Sequence, residues 1–392
     1  MSNYITSIDK NILDNLLEEV LNRNLDCIKI PRDIDKKNII LYGAGNLGTM
    51  AVNLLRKVGI KPKYIVDKSE KKHSGNISGI KIVHPNEIFK NDKRDAIFLV
   101  CIVNFPFSEI KDSLYNMGCQ NIIPFWDIAE YFRDEIKITN GWYCEKLSEK
   151  DKVNIKLVYD NFNDDISRAL YIQFLYWRIR REEILFEQAK VSIEDKFFPE
   201  KIMPKLTENE FLIDCGAYNG NTIKNFMDYT KNKFKKIVAF EPDKSNYKEL
   251  INFINKVDKN ISKKIIPYPY GVGEIEEEKM FISGLGMAGR FGTDSNSNNA
   301  KIVTLDNILK NDSISFLKLH VEGEEYRALK GGLKVIRKNR PIIIITIYHN
   351  MEGLWMVPRL LMEELEDYYY YHRLHGYCGN ESVLYAFPKE RI

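Results

Sequence analysis

Residues 211–222, FLIDCGAYNGNT, constrain the fold of this chain more than any other stretch. An apolar run ends at Asp214, a turn containing Gly216 and Gly220 follows, and an amphipathic segment opens near Thr222. That order reads as strand, tight turn and helix, with glycine where the backbone must approach a ligand more closely than a side chain permits. A second apolar run, VAFEPD at 238–243, ends on Glu241, Pro242 and Asp243. A carboxylate at a strand tip can accept hydrogen bonds from both hydroxyls of a ribose. The interval from Asp214 to Glu241 leaves room for one helix, as a βαβ unit requires. The Gly-x-Gly-x-x-Gly spacing that a dinucleotide favours is missing from this turn, so it suits a smaller adenosine ligand.

Further motifs follow in order: VTLDNI at 303–308, FLKLHVEGEE at 316–325, and IYHN at 347–350 with Leu354 and Trp355 close behind. Together with 214–222 and Glu241-Pro242-Asp243, they resemble the FkbM family of S-adenosylmethionine-dependent methyltransferases. The closing segment, from Tyr369 through His375 to Ala386, looks like a branch of the same family, and the resemblance spans the C-terminal half. It implies a Rossmann-like class I methyltransferase domain that takes S-adenosylmethionine and methylates a hydroxyl on a sugar or related metabolite. The implied cofactor residues are Asp214, Gly216, Ala217, Asn219, Gly220 and Thr222 in the first turn, and Glu241, Pro242 and Asp243 at the second. Asp214, Gly216 and Asn219 would line the methionine end and Glu241 the ribose. One departure stands out: His320 occupies the place of the family's aspartate in Asp-(Val/Ile)-Glu-Gly-Ala-Glu, so that carboxylate's role does not transfer directly.

Length and composition bound the rest. With 392 residues the chain has room for two domains and a helical connector. Hydrophobic residues make up 44%, enough for packed cores. Lys plus Arg number 58 against 55 for Asp plus Glu, a near balance without a basic tract, so nucleic acid is not an expected partner. Six cysteines without Cys-x-x-Cys spacing suggest neither a zinc cluster nor a disulfide framework. The first residues lack the apolar core of a signal peptide, and the longest apolar run, 341–347, is strand-sized. No membrane insertion is expected, and the chain reads as a cytoplasmic protein.

The organisation reads in three parts. Residues 1–140 form a small Rossmann-like α/β domain with a helix at 10–25, strands at 38–42, 64–67 and 96–103, and a short strand near Ile122. Residues 141–205 form a helical connector, rich in rings from Tyr171 to Trp177, which read as core, as contact between copies in a homo-oligomer, or as a platform for a sugar. Residues 206–392 form the methyltransferase domain, with strands expected at 211–214, 236–240, 264–267, 316–320 and 342–348 and a hairpin over 368–375 and 382–387. Between them, residues 284–299 are rich in Gly, Ser and Asn and read as a flexible loop beside the site.

The N-terminal GAGNLG at 43–48 satisfies the dinucleotide spacing, and Asp67 stands about where a ribose-binding acid belongs. Alone this suggests an NAD-dependent oxidoreductase, but the unit is short and no Tyr/Lys or Cys/His arrangement follows it. The segment also resembles the N-terminal half-Rossmann domain of sugar O-acyltransferases, which implies binding of a nucleotide or nucleotide-activated sugar. A third reading is a scaffold whose glycines only pack helix on strand. A non-catalytic sugar-nucleotide binding protein is the corresponding alternative for the whole chain.

Methylating a sugar hydroxyl calls for alignment and for help in removing its proton. Strand alternation puts Lys318 and His320 on one side, with His320 at the carboxyl end of its strand and His349 at the end of the next. Three readings stay open. Either histidine is a general base, with Lys318 as a further catalytic candidate. Alternatively His320 and His349 ligate a divalent metal, with Glu322 or Asp306 supplying oxygen. Or His349 merely bonds a neighbouring backbone group. Asp306 also reads as a cap for the helix after it, and either Glu322 or Glu325 as a carboxylate that favours a helix N-terminus. His372 and His375 are expected at the surface of the hairpin or against substrate.

Overall fold

The computed structural model describes residues 4–22, 34, 37–73, 75–136, 146–192, 196–282, 289–292 and 297–392. The chain divides into two compact units. The first comprises Met1–Leu147, Ala169–Val191 and Leu374–Glu381, and the second Ser148–Arg168, Ser192–Arg373 and Ser382–Ile392.

In the first unit, strands β1 (Ile39–Tyr42), β2 (Tyr64–Val66), β3 (Asn76–Ile77), β4 (Ile80–Val83), β5 (Ile97–Val100) and β6 (Asn121–Pro124) form one sheet in the order β3-β4-β2-β1-β5-β6. All neighbours pair parallel except the β3–β4 hairpin. The chain therefore works outward from β1 in both directions, leaving a crevice between the ends of β1 and β5. Helix α1 (Asn46–Lys57) starts at that crevice, and α2 (Phe107–Asn116) follows β5. The sequence reading foresaw β1, β2, β5 and β6 but passed over β3 and β4, which are short and carry exposed Asn76 and Lys81.

In the second unit, β7 (Phe211–Cys215), β8 (Lys236–Phe240), β9 (Ile265–Tyr268), β14 (Phe316–Leu319), β15 (Ile342–Thr346), β16 (Tyr368–Leu374) and β17 (Ser382–Pro388) build a seven-stranded sheet ordered β9-β8-β7-β14-β15-β17-β16. The first five run parallel, and β17 enters antiparallel to β15. Helices α3 (Asn221–Tyr229) and α4 (Lys244–Ile254) follow β7 and β8, while α5 (Glu325–Lys330) and α6 (Leu333–Asn339) lie between β14 and β15. Strand β15 reads IIIIT and is buried throughout, as a central parallel strand covered on both faces must be. The reversal of direction falls between β7 and β14, so their carboxyl ends open the second crevice.

A smaller sheet interrupts this pattern. Strands β10 (Gly271–Val272), β11 (Glu277–Ile282), β12 (Arg290–Phe291) and β13 (Ser297–Val303) pair in the order β10-β13-β11-β12. The expected flexible loop at 284–299 is thus partly strand, and its residues 284–288 and 293–296 lie outside the described residues. Among the described residues, no helix is long and apolar enough to cross a membrane.

Candidate active site

The turn after β7 is built around a buried ion pair. Asp214 is 0% exposed and Lys318, on β14, is 2% exposed. Lys318 Nζ donates to Asp214 Oδ1 at 2.8 Å, to the Gly216 carbonyl at 2.7 Å and to the Cys215 carbonyl at 3.3 Å. All three of these acceptors belong to the turn, so the contacts of Lys318 fasten it. Burial raises the Asp214 carboxyl, against the pull of Lys318, and Oδ2 has no hydrogen-bond partner. Gly216 has φ 79°, and a Cβ there would lie 1.9 Å from the His320 carbonyl oxygen. The close approach that demands glycine is to the chain's own backbone. Gly220 (φ 91°) packs likewise on Phe253. Ala217 and Thr222 are buried in the same turn, and Asn219 Oδ1 accepts from Asn221 N at 3.3 Å.

Glu241 follows β8 and is 5% exposed. Its Oε2 accepts from Tyr218 N at 2.8 Å and its Oε1 from Asp243 N at 2.9 Å, which ties the two loops together. Each oxygen keeps lone-pair capacity for a further donor. Burial pushes this carboxyl up to about 7, against those backbone donors. Pro242 is partly exposed, whereas Asp243 is buried and caps α4, accepting from Ser245 N (2.8 Å) and Asn246 N (3.1 Å).

At the ends of β14 and β15 the predicted residues His320, Glu322 and His349 come together. His320 Nε2 lies 3.3 Å and His349 Nε2 3.4 Å from Glu322 Oε1. The imidazole rings stack with centroids 5.1 Å apart. Glu322 adopts φ 54°, a left-handed conformation that costs a non-glycine residue roughly 1 kcal/mol or more. Asn350 Nδ2 donates to the Gly323 carbonyl at 2.9 Å and locks this loop to the one after β15. Burial pushes the His320 imidazole down to about 4, against its contact with Glu322. Burial also opposes charge on His349, but Glu325 and Glu322 outweigh it and raise that ring to about 10. Glu322, despite its burial, is held well below the ordinary carboxylate range by His349. These shifts favour the neutral form of His320 and the charged form of His349.

Three neighbours were not foreseen. Glu325 accepts from Val321 N (3.0 Å), Gly323 N (2.9 Å) and Thr346 Oγ1 (3.1 Å), and its Oε1 lies 2.8 Å from His349 Nδ1. It holds the loop and the histidine, beyond the helix-terminus role expected of it. Tyr348 OH lies 3.2 Å from His320 Nε2, and the Phe197 ring packs 6.1 Å from the His320 ring and 5.1 Å from Lys318 Nζ. Asp306 does not join the histidines: it accepts from Val335 N and Lys334 N at the start of α6, and Thr304 caps the helix that Asp306 was expected to cap. His372 and His375 are buried, against the expectation of surface positions, and His372 Nε2 pairs with Ser382 Oγ at 2.7 Å.

In the first unit, a cleft of about 680 Å³ opens where β1 and β5 diverge, lined by Gly43, Gly45, Asp67, Lys72 and Phe105 among others. A Cβ on Gly43 or Gly48 would strike backbone, whereas one on Gly45 meets nothing within 4 Å. Asp67 does not stand free for a ribose, since its Oδ2 accepts from Ala44 N (2.7 Å) and Lys72 Nζ (3.0 Å) and its Oδ1 from Ser69 N (2.8 Å).

The second unit's sheet order and the loops at its carboxyl edge define a Rossmann-like methyltransferase. Residues 214–377 match the family described as methyltransferase FkbM domain, so the C-terminal half of the chain carries an FkbM domain. Residues 35–124 match the family described as C2185-like, N-terminal. Among solved structures, methyltransferase FkbM from Methylobacillus flagellatus KT shares the fold, with 18% identity, a TM-score of 0.66, and coverage of 96% of this chain and 98% of that one. An rRNA methylase from Streptococcus thermophilus aligns with 13% identity and a TM-score of 0.29, over 47% of this chain and 89% of that one. A methyltransferase from Geobacter sulfurreducens aligns with 8% identity and a TM-score of 0.25, over 72% and 100%. No curated protein matches the chain in sequence.

Proposed function

We propose that the protein transfers a methyl group from S-adenosylmethionine to a hydroxyl oxygen of a sugar, with the second unit as the catalytic domain. The observation that carries this reading is the convergence, at the carboxyl edge of β7, β8, β14 and β15, of a buried carboxylate with an unpaired oxygen, a ribose-suited Glu241 and two histidines. The residues present fit the cofactor: the orphaned Asp214 Oδ2 suits an ammonium or amide donor, and Glu241 suits two hydroxyls. When bound, that cofactor supplies a methyl group on a sulfonium, ready for in-line displacement by oxygen. The Asp214–Lys318 pair fixes the turn, Glu241 joins the two loops, and His320 and His349 stand at the acceptor end. The family resemblance favours a carbohydrate acceptor.

Calorimetric titration with S-adenosylhomocysteine tests this reading. Wild-type protein is expected to bind it, and Glu241→Ala to weaken it by about 100-fold, the loss of two charge-assisted hydrogen bonds. The pH dependence is a second signature. Ribose hydroxyls donate to the carboxylate form, so affinity should climb as pH rises through about 7 and level off above it. In Glu241→Gln that slope should vanish. Absence of binding to wild-type protein would sink the proposal.

For the first unit we propose that the cleft beside Gly45 takes a nucleotide-activated sugar, supported by its open volume and by the free space at Gly45. Gly45→Asp is expected to abolish that binding while leaving the melting temperature within a few degrees, because no atom stands in the new Cβ's way. Saturable NADH binding, with no response to uridine or guanosine diphosphate sugars, would instead favour the oxidoreductase reading.

A further inference from the structure

We infer that His320, Glu322 and His349 are the ligands of a divalent transition-metal ion at the acceptor end of the site. The inference rests on the methyltransferase reading above and adds a cofactor to it. One donor atom from each residue lies within 4.8 Å of the other two, and the two histidine nitrogens stand 3.3 and 3.4 Å from Glu322 Oε1. An ion bonded tetrahedrally at about 2.0–2.1 Å to each would separate neighbouring donors by roughly 3.3 Å, a spacing that both histidine–Glu322 pairs already have.

Two of the buried polar atoms here lack an aligned hydrogen bond on the side that faces the set, His349 Nε2 and Glu322 Oε2. His349 is 1% exposed, and neither of its ring nitrogens makes an aligned hydrogen bond; Glu322 Oε2 is buried without a partner. Buried polar atoms normally find partners, so His349 Nε2 and Glu322 Oε2, both buried without an aligned hydrogen bond, point to an occupant. Behind His349 stands Glu325, 2.8 Å from Nδ1 and itself fixed by two backbone N–H groups and Thr346. A carboxylate behind the ring nitrogen opposite the metal is the usual arrangement for a ligating histidine. A histidine acting only as a base would need one carboxylate behind it and an open Nε2. Here a second carboxylate oxygen lies at 3.4 Å on the Nε2 side, which a cation uses and a base does not.

Two imidazoles and one carboxylate suit Zn²⁺, Mn²⁺ or Fe²⁺ better than Mg²⁺ or Ca²⁺, which prefer oxygen sets. His320 in place of the family's aspartate moves the site in that direction. His320 and Glu322 side chains remain 15% and 10% exposed, so one side of the set stays open to an acceptor oxygen. An ion there would bind the acceptor hydroxyl and lower its pKa. The proton then leaves to solvent, the O–CH₃ bond forms, and the S–CH₃ bond breaks with its electron pair retained on sulfur.

The test uses the full chain, stripped with EDTA and titrated with ZnCl₂, MnCl₂ and MgCl₂ by calorimetry, with S-adenosylhomocysteine affinity measured on the same samples. The expected result is one Zn²⁺ or Mn²⁺ per chain and much weaker Mg²⁺. Affinity for the first two should fall at least about 100-fold in His349→Ala and about 10-fold in Glu322→Gln. Homocysteine-nucleoside affinity should stay within about threefold, showing that both variants are folded. Wild-type protein that binds the nucleoside but no stoichiometric metal overturns the inference and leaves the methyltransferase proposal standing. So does metal binding that neither substitution changes. Failure to bind nucleoside and metal alike would overturn both.

Discussion

Lys318→Met is expected to destabilise the second unit by about 3–5 kcal/mol, read as a lowered urea midpoint in equilibrium unfolding. The lysine ammonium is closed off from water and bonded to the Asp214 carboxylate and two carbonyls of the β7 turn. Removing it leaves a carboxylate at 0% exposure with no countercharge, and the buried pair is worth most when one member is lost. The double variant Asp214→Asn/Lys318→Met should recover much of the loss, because the uncompensated charge goes with it. A lysine acting on the acceptor would behave otherwise: Lys318→Met would cost turnover and leave the midpoint almost unchanged. A single-variant loss below about 1 kcal/mol would therefore refute the fastening role.

That role illustrates what a sequence can and cannot disclose. The strands at 211–215 and 236–240 were legible because each is a buried apolar run closed by a turn signal, and their observed bounds differ from expectation by a residue at most. Strand β11 reads EEKMFI with its first half in water, so its charges hid it. The residues His320, Glu322 and His349 could be singled out because strand ends in a doubly wound sheet face the crevice. Their protonation could not: it depends on Glu325 reaching across to His349 and on burial that only the packed loops create. The Lys318–Asp214 pair joins residues 104 positions apart, a relation periodicity does not encode. Glycine gave a similar half-answer. A close approach at Gly216 and Gly220 was readable from the turn, but what they approach, the His320 carbonyl and Phe253, was not.

Glu322 and Glu325, three residues apart, should separate activity from stability. Glu325→Gln is expected to lower stability by about 3 kcal/mol, because its carboxylate accepts from Val321 N, Gly323 N and Thr346 Oγ1 and faces the His349 ring. A glutamine presents one acceptor oxygen where two are in use, and its amide N–H₂ is left against a backbone donor. Methyl transfer should fall with it, since the loop and His349 lose their shared anchor. Glu322→Gln should reduce turnover by about 100-fold or more yet change stability by less than about 1 kcal/mol. Glu322 holds no backbone donor, keeps one buried oxygen unpaired and sits at φ 54°, so no loop hangs on it as it does on Glu325. A residue kept in a strained, under-satisfied state is the pattern of a site that gives up stability for function. Chemical denaturation and single-turnover methyl transfer, run on both variants, check the pair. If Glu322→Gln unfolds the unit as readily as Glu325→Gln, Glu322 belongs to the scaffold and the acceptor site must lie elsewhere along the crevice.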